Sequence, residues 1–456
     1  MEKSIKTLLY KMKKIFLAYL FLAGFVGELK AQDTLRLTFR EAVELGLKNN
    51  VDFNRLNNQQ EVLKIEKTAA VLGHLPRLTG GSNLMRQKGQ QSQLVGDDWV
   101  ITNQTNDMIT ANLTTSMPIF NGTRRINTTQ ATRLYAEAGE NAIQRAEQDV
   151  MFNVARQYLQ VLLDEELYRI AVENLENQKK QLEQIDGFVQ AGLRTQADLY
   201  NQQSEVARLE TVALNAKIQW ESDSWVLAET IQLDPEVFPV IEPVSLKQIT
   251  SEYTTMGLDE LYAVGVQNRR DLKRQQLLES ATKNQLAATK GILYPQLNAF
   301  FDYNTFFTSL DSRRISEQLW QVYPQRTFGL SLNLPIFTNF DNRAIVARSR
   351  MQYHNQQLDR NALERRVYQE IKLAYENYKA SIKREEATKV QLAAAVEAQT
   401  AIAERFRLGV SNFVDLATAN QQLVRGQADY AQAQYTLFFQ EVILRYQLGV
   451  LEVENQ

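Results

Sequence analysis

The chain has 456 residues, with 51 Lys and Arg against 53 Asp and Glu, two His and no Cys. The missing thiols exclude disulfides, thiol catalysis, cysteine metal sites and an acylated N-terminal cysteine. Six Lys against two Glu put a net +4 on residues 1–31, which leaves the remainder near −6 and argues against nucleic acid as a partner.

Lys11, Lys13 and Lys14 precede the apolar stretch Ile15–Gly27, and Ala31 offers a small residue for cleavage. This pattern predicts an export signal over residues 1–31, because an apolar run of that length is too short to span a bilayer as a helix. Met12 is a second candidate start, since a complete signal follows it. No later run of 18 apolar residues occurs, so the mature chain is either soluble or enters a membrane as a β-barrel.

The rest of the chain reads as a duplication. FREAVELGLKNNVDF (Phe39–Phe53) aligns without gaps on LDELYAVGVQNRRDL (Leu258–Leu272) at an offset of 219, which also carries Pro76 and Leu78 onto Pro295 and Leu297. From Met117–Phe120 (MPIF) onward the offset is 217, with LPIF (Leu334–Phe337) as its match, and Tyr158 falls on Tyr375. The two-residue change predicts a surface loop between residues 79 and 109. The expected division is therefore a signal (1–31), a first copy (32–243) and a second copy (244–456).

Within each copy the elements follow from period and breakers. Ile109, Ala111, Leu113 and Met117 alternate with polar residues, as do Phe328, Leu330, Leu332 and Leu334. Leu297, Ala299, Phe301 and Tyr303 alternate too, interrupted by Phe300, and Pro76–Arg86 is a strand chiefly by its match to that segment. Such alternation makes one apolar and one polar sheet face. Residues 119–234 and 336–456 contain no proline and are rich in Ala, Gln, Glu and Leu. Each tract reads as a long helix, a turn at Gly192 or Gly409, and a returning helix. Leu199, Val206, Ala213, Trp220 and Leu227 recur every seven residues, and Leu416, Leu423, Tyr430, Leu437 and Leu444 repeat that stripe in register. A strict seven-residue repeat predicts left-handed coiled packing. Four strands cannot close a barrel, and open edges are not tolerated in lipid. Two copies of the chain would nearly fill an eight-stranded interior, whereas three give twelve strands and a lumen.

With MPIFNG and LPIFTN at the strand-to-helix junctions, and FVQAGLRTQADL and RFRLGVSNFVDLATANQQL at the turns, residues 35–450 resemble the TolC-like outer-membrane efflux proteins. The resemblance implies a mixed α/β membrane protein: a homotrimer with a twelve-stranded barrel in outer-membrane lipid and a coiled-coil helical tunnel across the periplasm of a Gram-negative cell. It implies a passive exit duct of an efflux or type I secretion system, with a periplasmic adaptor and an inner-membrane transporter as partners. Gly192, Leu193 and Arg194, with Gly409, Val410 and Ser411, match the tip positions used in adaptor docking. The glycines equally suit a turn needing an unusual φ, while Leu193 and Val410 are apolar at an exposed tip.

Asp198 and Asp415 stand six residues after the tip glycines. Near a helix start, acidic residues favour the dipole and can cap. On a threefold axis a single Asp becomes an acidic ring that favours cations. The resemblance points to Asp415 as the ring residue and to Asp198 as bonded to a neighbouring helix. This chain departs from studied members at Ser411, where some carry a basic residue, and at Thr418, where the family has a second gate aspartate. Arg194 is the expected substitute, pairing with one of the aspartates. No nucleophile–base pair, phosphate loop or metal-ligand spacing occurs, so neither an enzyme nor a cofactor is expected. The competing reading is a structural coiled-coil protein of the envelope, which would have no need of the amphipathic strands.

Overall fold

The computed structural model describes residues 33–244, 253 and 256–452; the expected signal at 1–31 lies outside them. In chain order the elements are β1 (Asp33–Leu37), α1 (Phe39–Asn49), α2 (Val51–Leu72), β2 (Arg77–Val95), β3 (Asp98–Phe120), α3 (Arg124–Gln190), α4 (Gln196–Thr230) and β4 (Val237–Ile241). Then come α5 (Leu258–Asn268), α6 (Arg270–Lys290), β5 (Gln296–Thr308), β6 (Gln325–Asn333), α7 (Asp341–Arg407) and α8 (Phe413–Leu448). Among the described residues no helix is long and apolar enough to cross a membrane.

The long helices are where propensity and the absence of proline put them. α3 and α7 are each 67 residues, or about 100 Å at 1.5 Å per residue, and their bounds differ by the sequence offset of 217 at both ends. Both follow a junction with two successive left-handed residues, Gly122–Thr123 and Asn339–Phe340, which the MPIFNG and LPIFTN motifs announce. Compactness does not follow the two copies. Among the described residues, those within 1–49, 153–248 and 384–439 form one unit, and those within 50–152, 249–383 and 440–456 form the other.

In the first unit, Leu199, Val206, Ala213 and Leu227 of α4 are buried and Trp220 is half-buried, stacked on Tyr168 of α3 at 5.8 Å. The matching stripe on α8 is buried at Leu416 and Leu444 but half-exposed at Leu423, Tyr430 and Leu437. The seven-residue pattern therefore exceeds what one chain buries. A parallel pair, β1 with β4, was not legible in the sequence. Tyr158 holds it, buried and donating to the carbonyls of Leu37 and Glu242 at 3.1 and 2.6 Å.

The second unit contains an antiparallel four-stranded sheet, ordered β2-β3-β5-β6. Its strands differ from expectation chiefly in the first hairpin. Residues 79–109 do not form a loop: β2 and β3 stay paired from Arg77–Ser116 to Val95–Asp98, turning through Gly96 and Asp97. A two-residue turn needs no interruption of the ladder, so the extra length of the first copy is spent on a longer hairpin. Leu334 falls just beyond β6.

The pairing register sorts most of the side chains by polarity. One face carries Leu330, Phe328, Phe301, Leu78, Leu113, Tyr303, Leu84 and Ile109; Phe328 is 84% and Leu84 79% exposed. The other carries Ser331, Asn298, Thr327, Asp302, Thr114, Thr79, Asn304 and Asn112. Phe300, which breaks the alternation, lies on the polar face across from Gly329. A Cβ there would stand 2.8 Å from its ring, so the small residue makes room for the large one. From Leu297 to Phe307 the apolar face runs roughly 35 Å along the strand, or about 25 Å high at a 45° tilt.

Candidate functional site at the helical turns

Each long helix ends in the same backbone device. At the first turn the Gly192 and Leu193 amides donate to the Val189 and Phe188 carbonyls at 3.0 and 2.8 Å. At the second, Gly409 and Val410 donate to Phe406 and Arg405 at 3.0 and 2.9 Å. These paired bonds satisfy carbonyls a helix end leaves open, and they require a left-handed residue. Gly192 has φ +72° and Gly409 +77°, with nothing within 4 Å of a Cβ at either, so conformation and not space selects glycine. The turns thrust Leu193 and Val410 into solvent, 70% and 66% exposed.

The returning helices start on caps that involve both aspartates. Asp198 forms a capping box with Thr195: Asp198 N meets Thr195 Oγ1 at 3.2 Å, and Asp198 Oδ2 accepts from the Thr195 amide at 3.2 Å and its hydroxyl at 2.8 Å. In the second copy Asn412 takes the capping role, accepting from Asp415 N at 2.9 Å, while the buried Ser411 hydroxyl donates to Asp415 Oδ2 at 3.0 Å. The Asp415 side chain is otherwise exposed.

Two expectations are corrected here. Within this chain Asp198 is bonded to the start of its own helix, because the Thr195 amide and hydroxyl stand three residues away in capping geometry. Arg194 pairs with neither aspartate. Its guanidinium donates to the Phe406 carbonyl and lies over the Phe406 ring, 4.1 Å from the centroid. That carbonyl belongs to the last turn of α7, where the dipole favours a cation, and the ring adds a cation–π contact.

Phe406, to which the sequence pattern assigns no role, is the centre of this contact. It is buried with Ile185, Leu199 and Leu416, packed by Val189, Ile402 and Phe413. The cluster is the duplication folded onto itself: Leu199 matches Leu416, Ile185 matches Ile402, and Val189 matches Phe406. Arg194 matches Ser411, so the Arg–Phe clip exists once per chain, from the first turn to the second and not in reverse. The signal was present as two coincident departures from the repeat. Beside the clip, an amide-lined cleft of about 700 Å³ separates the two helix pairs, bridged by Gln399 to Asn420 at 3.0 Å and Asn420 to Gln181 at 3.3 Å.

Comparison with known proteins agrees with this architecture. A family model described as outer membrane efflux protein matches twice, over residues 43–230 and 262–450. The chain is 21% identical over 429 residues to the outer membrane efflux protein BepC of Brucella suis, covering 93% of this chain and 87% of that one. It is 18% identical over 349 residues to the outer membrane protein TolC of Vibrio cholerae, covering 76% and 78%. The outer-membrane channel OprN superposes with a TM-score of 0.77 at 19% identity, covering 90% and 89% of the two chains. VceC of Vibrio cholerae does so with 0.76 at 15%, covering 90% and 96%. At these identities the solved structures speak for the fold.

Proposed function

The chain belongs to the outer membrane efflux protein family, and we propose that three copies assemble into one duct, with a twelve-stranded barrel in the outer membrane and a helical tunnel beneath it. Membership makes it an outer-membrane channel and not an enzyme. One observation carries the trimer: a four-stranded sheet with an apolar face of membrane height and two open edges, β2 and β6. Lipid does not tolerate open edges, and twelve strands leave a lumen where eight nearly fill. The half-exposed α8 stripe supports assembly in the helical part as well. Native mass determination in detergent should give three chains per particle with ion conductance in planar bilayers; a monomer that inserts and conducts would overturn this.

The duct serves a tripartite efflux or type I secretion system. Leu193 and Val410, with the backbone of Gly192, Arg194, Gly409 and Ser411, form the surface that meets a periplasmic adaptor and its inner-membrane transporter. Leu193→Asp with Val410→Asp should leave a protease-resistant trimer and abolish export, since the charges would be buried unpaired on docking. Export at the wild-type level removes these residues from the interface.

Gating is assigned to Asp415, Asp198 and Arg194 in different senses. Asp415, exposed at the turn, repeats on the threefold axis as an acidic ring. Asp198 fixes the start of α4, and Arg194 holds one turn against the other. Arg194→Ala should raise the open probability severalfold in single-channel recordings. Asp415→Asn should lower cation selectivity; a change in thermal stability alone would return Asp415 to a purely capping role.

A further inference from the structure

The duplication holds at the level of hydrogen-bond register, and that makes the seam between protomers readable from one chain. In the first copy Leu78 pairs with Thr115, Gly80 with Leu113 and Leu84 with Ile109. Moving β2 residues by 219 and β3 residues by 217 gives Leu297 with Leu332, Ala299 with Leu330 and Tyr303 with Arg326, which are the pairs observed between β5 and β6. The two hairpins therefore share one register without a slip, although the first is longer by the two residues lost between the offsets.

The junction between the copies is a second, different pairing: β3 of the first with β5 of the second, Leu113 opposite Tyr303 and Thr114 opposite Asp302. The open edges are β6 and β2, the same two kinds of strand in the same order. We infer that β6 pairs with β2 of a second copy of this chain in the register of the internal junction, with Leu330 opposite the partner's Leu84 and Ser331 opposite the partner's Asn83. This rests on the trimeric barrel proposed above.

Two features agree with the assignment. The pairing is antiparallel, as the alternating strand directions require. It joins like faces: Leu330 and Leu84 both lie on the apolar side, Ser331 and Asn83 both on the polar side. A slip of one residue would place apolar against polar along the whole seam. Against it stands one like-charge pair, Arg326 opposite the partner's Lys88, which the seam must accommodate. β6 begins at Gln325 and so runs out opposite the partner's Gly89. Above that level the partner's β2 edge meets the segment between β5 and β6. Within this segment fully buried Gln318 accepts from Thr308 N at 3.0 Å and donates to the Asp311 and Arg313 carbonyls at 3.1 and 2.8 Å.

The chain has no cysteine, so paired substitutions report without background. Adjacent antiparallel pairs alternate between close and wide Cα spacing, and the close pair oxidises more readily. The double variants Leu330→Cys/Leu84→Cys and Ser331→Cys/Asn83→Cys are expressed, recovered in outer membranes and oxidised. One or both should give a reducible ladder ending at a covalent trimer. Phe328→Cys/Leu84→Cys and Leu332→Cys/Leu84→Cys, which test slips of two residues, should give several-fold less. The Ser331 and Asn83 variant replaces small polar residues and spares the apolar face, so it guards against misfolding. A ladder from either slipped pair alone overturns the register and leaves the trimer standing. A trimer by native mass with no ladder from any pair overturns the β6–β2 seam. A monomer by native mass overturns the assembly itself.

Discussion

The two copies within this chain share the bounds of their 67-residue helices and the register of their strand pairs, yet they hold their helix ends with different residues. The first copy closes α4 with Gln232, a non-glycine residue at φ +52°, whose amide and that of Leu233 donate to Glu229 and Ala228 at 3.0 and 2.9 Å. The second closes α8 in the same way with Gly449 at φ +72°. The reason lies nearby. A Cβ on Gly449 would stand 3.0 Å from the backbone of Arg269. Arg269 itself replaces Asn50 of the first copy, which only caps α2 by accepting from Phe53 N at 2.8 Å. A duplicated backbone thus tolerates different side-chain solutions, and each solution constrains its neighbours.

The sharpest test of that contrast is Arg269. It is 3% exposed and donates to Asp271 at 2.6 Å, Glu370 at 2.7 Å and Gln447 Oε1 at 2.9 Å. Arg269→Met strands two carboxylates around an apolar side chain and should cost about 3–5 kcal/mol. The expected readout is a large fall in the melting temperature of the assembled protein. Asn50→Ala in the first copy should cost only ~1 kcal/mol. Equal losses from the two substitutions would erase the asymmetry.

Next in size is the contact between α3 and α4 of the first copy. Asp164 of α3 is buried, takes both side-chain oxygens to Gln160 Nε2 at 3.2 and 3.1 Å, and stands beside the Asp223 carboxyl of α4. Burial, with hydrogen bonding to Asp223, pushes Asp164 up to about 7. The second copy has neutral Ser381 and Gln440 in these places. An acid with a raised folded-state pKa holds a proton that the unfolded chain releases, so stability falls as pH rises from about 4 to about 7 and then levels off. Asp164→Asn should therefore stabilise the protein at pH 8 by roughly 2 kcal/mol, allowing for the half-exposed partner, and do nothing at pH 4. Thermal melts at the two pH values decide it; a pH-independent difference refutes the raised pKa of Asp164.

The smallest effect is at the helix end itself. Gln232→Gly relieves a left-handed non-glycine residue and should raise stability by about 0.5 kcal/mol. Gly449→Ala should lower it by more than 1 kcal/mol, because φ and the Arg269 backbone both oppose it. The sign difference between these substitutions, read as opposite shifts in melting temperature, is the measurement.

What the sequence by itself determined was the set of features that depend on period, breakers and repetition. The long helices follow from two proline-free tracts, the turns from Gly192 and Gly409, and the sheet faces from alternation along Ile109–Met117 and Phe328–Leu334. Those signals are local, or they recur at a constant offset, and no knowledge of contacts is needed to see them. Between residues 79 and 109 the change of offset by two predicts a surface loop; only the ladder between β2 and β3 makes this stretch a hairpin. The wiring of the turns belonged to the tertiary structure alone. Arg194 and Phe406 lie 212 positions apart in the chain, and nothing in the spacing of charges shows that a guanidinium will prefer a helix-end carbonyl and a ring to either aspartate. Packing decides that choice, by bringing Leu199 and Leu416 into one cluster and setting the Phe406 carbonyl, which accepts from Gly409 N and keeps a second lone pair, beside Arg194 at the end of α7, while Asp198 is already occupied by its own helix cap.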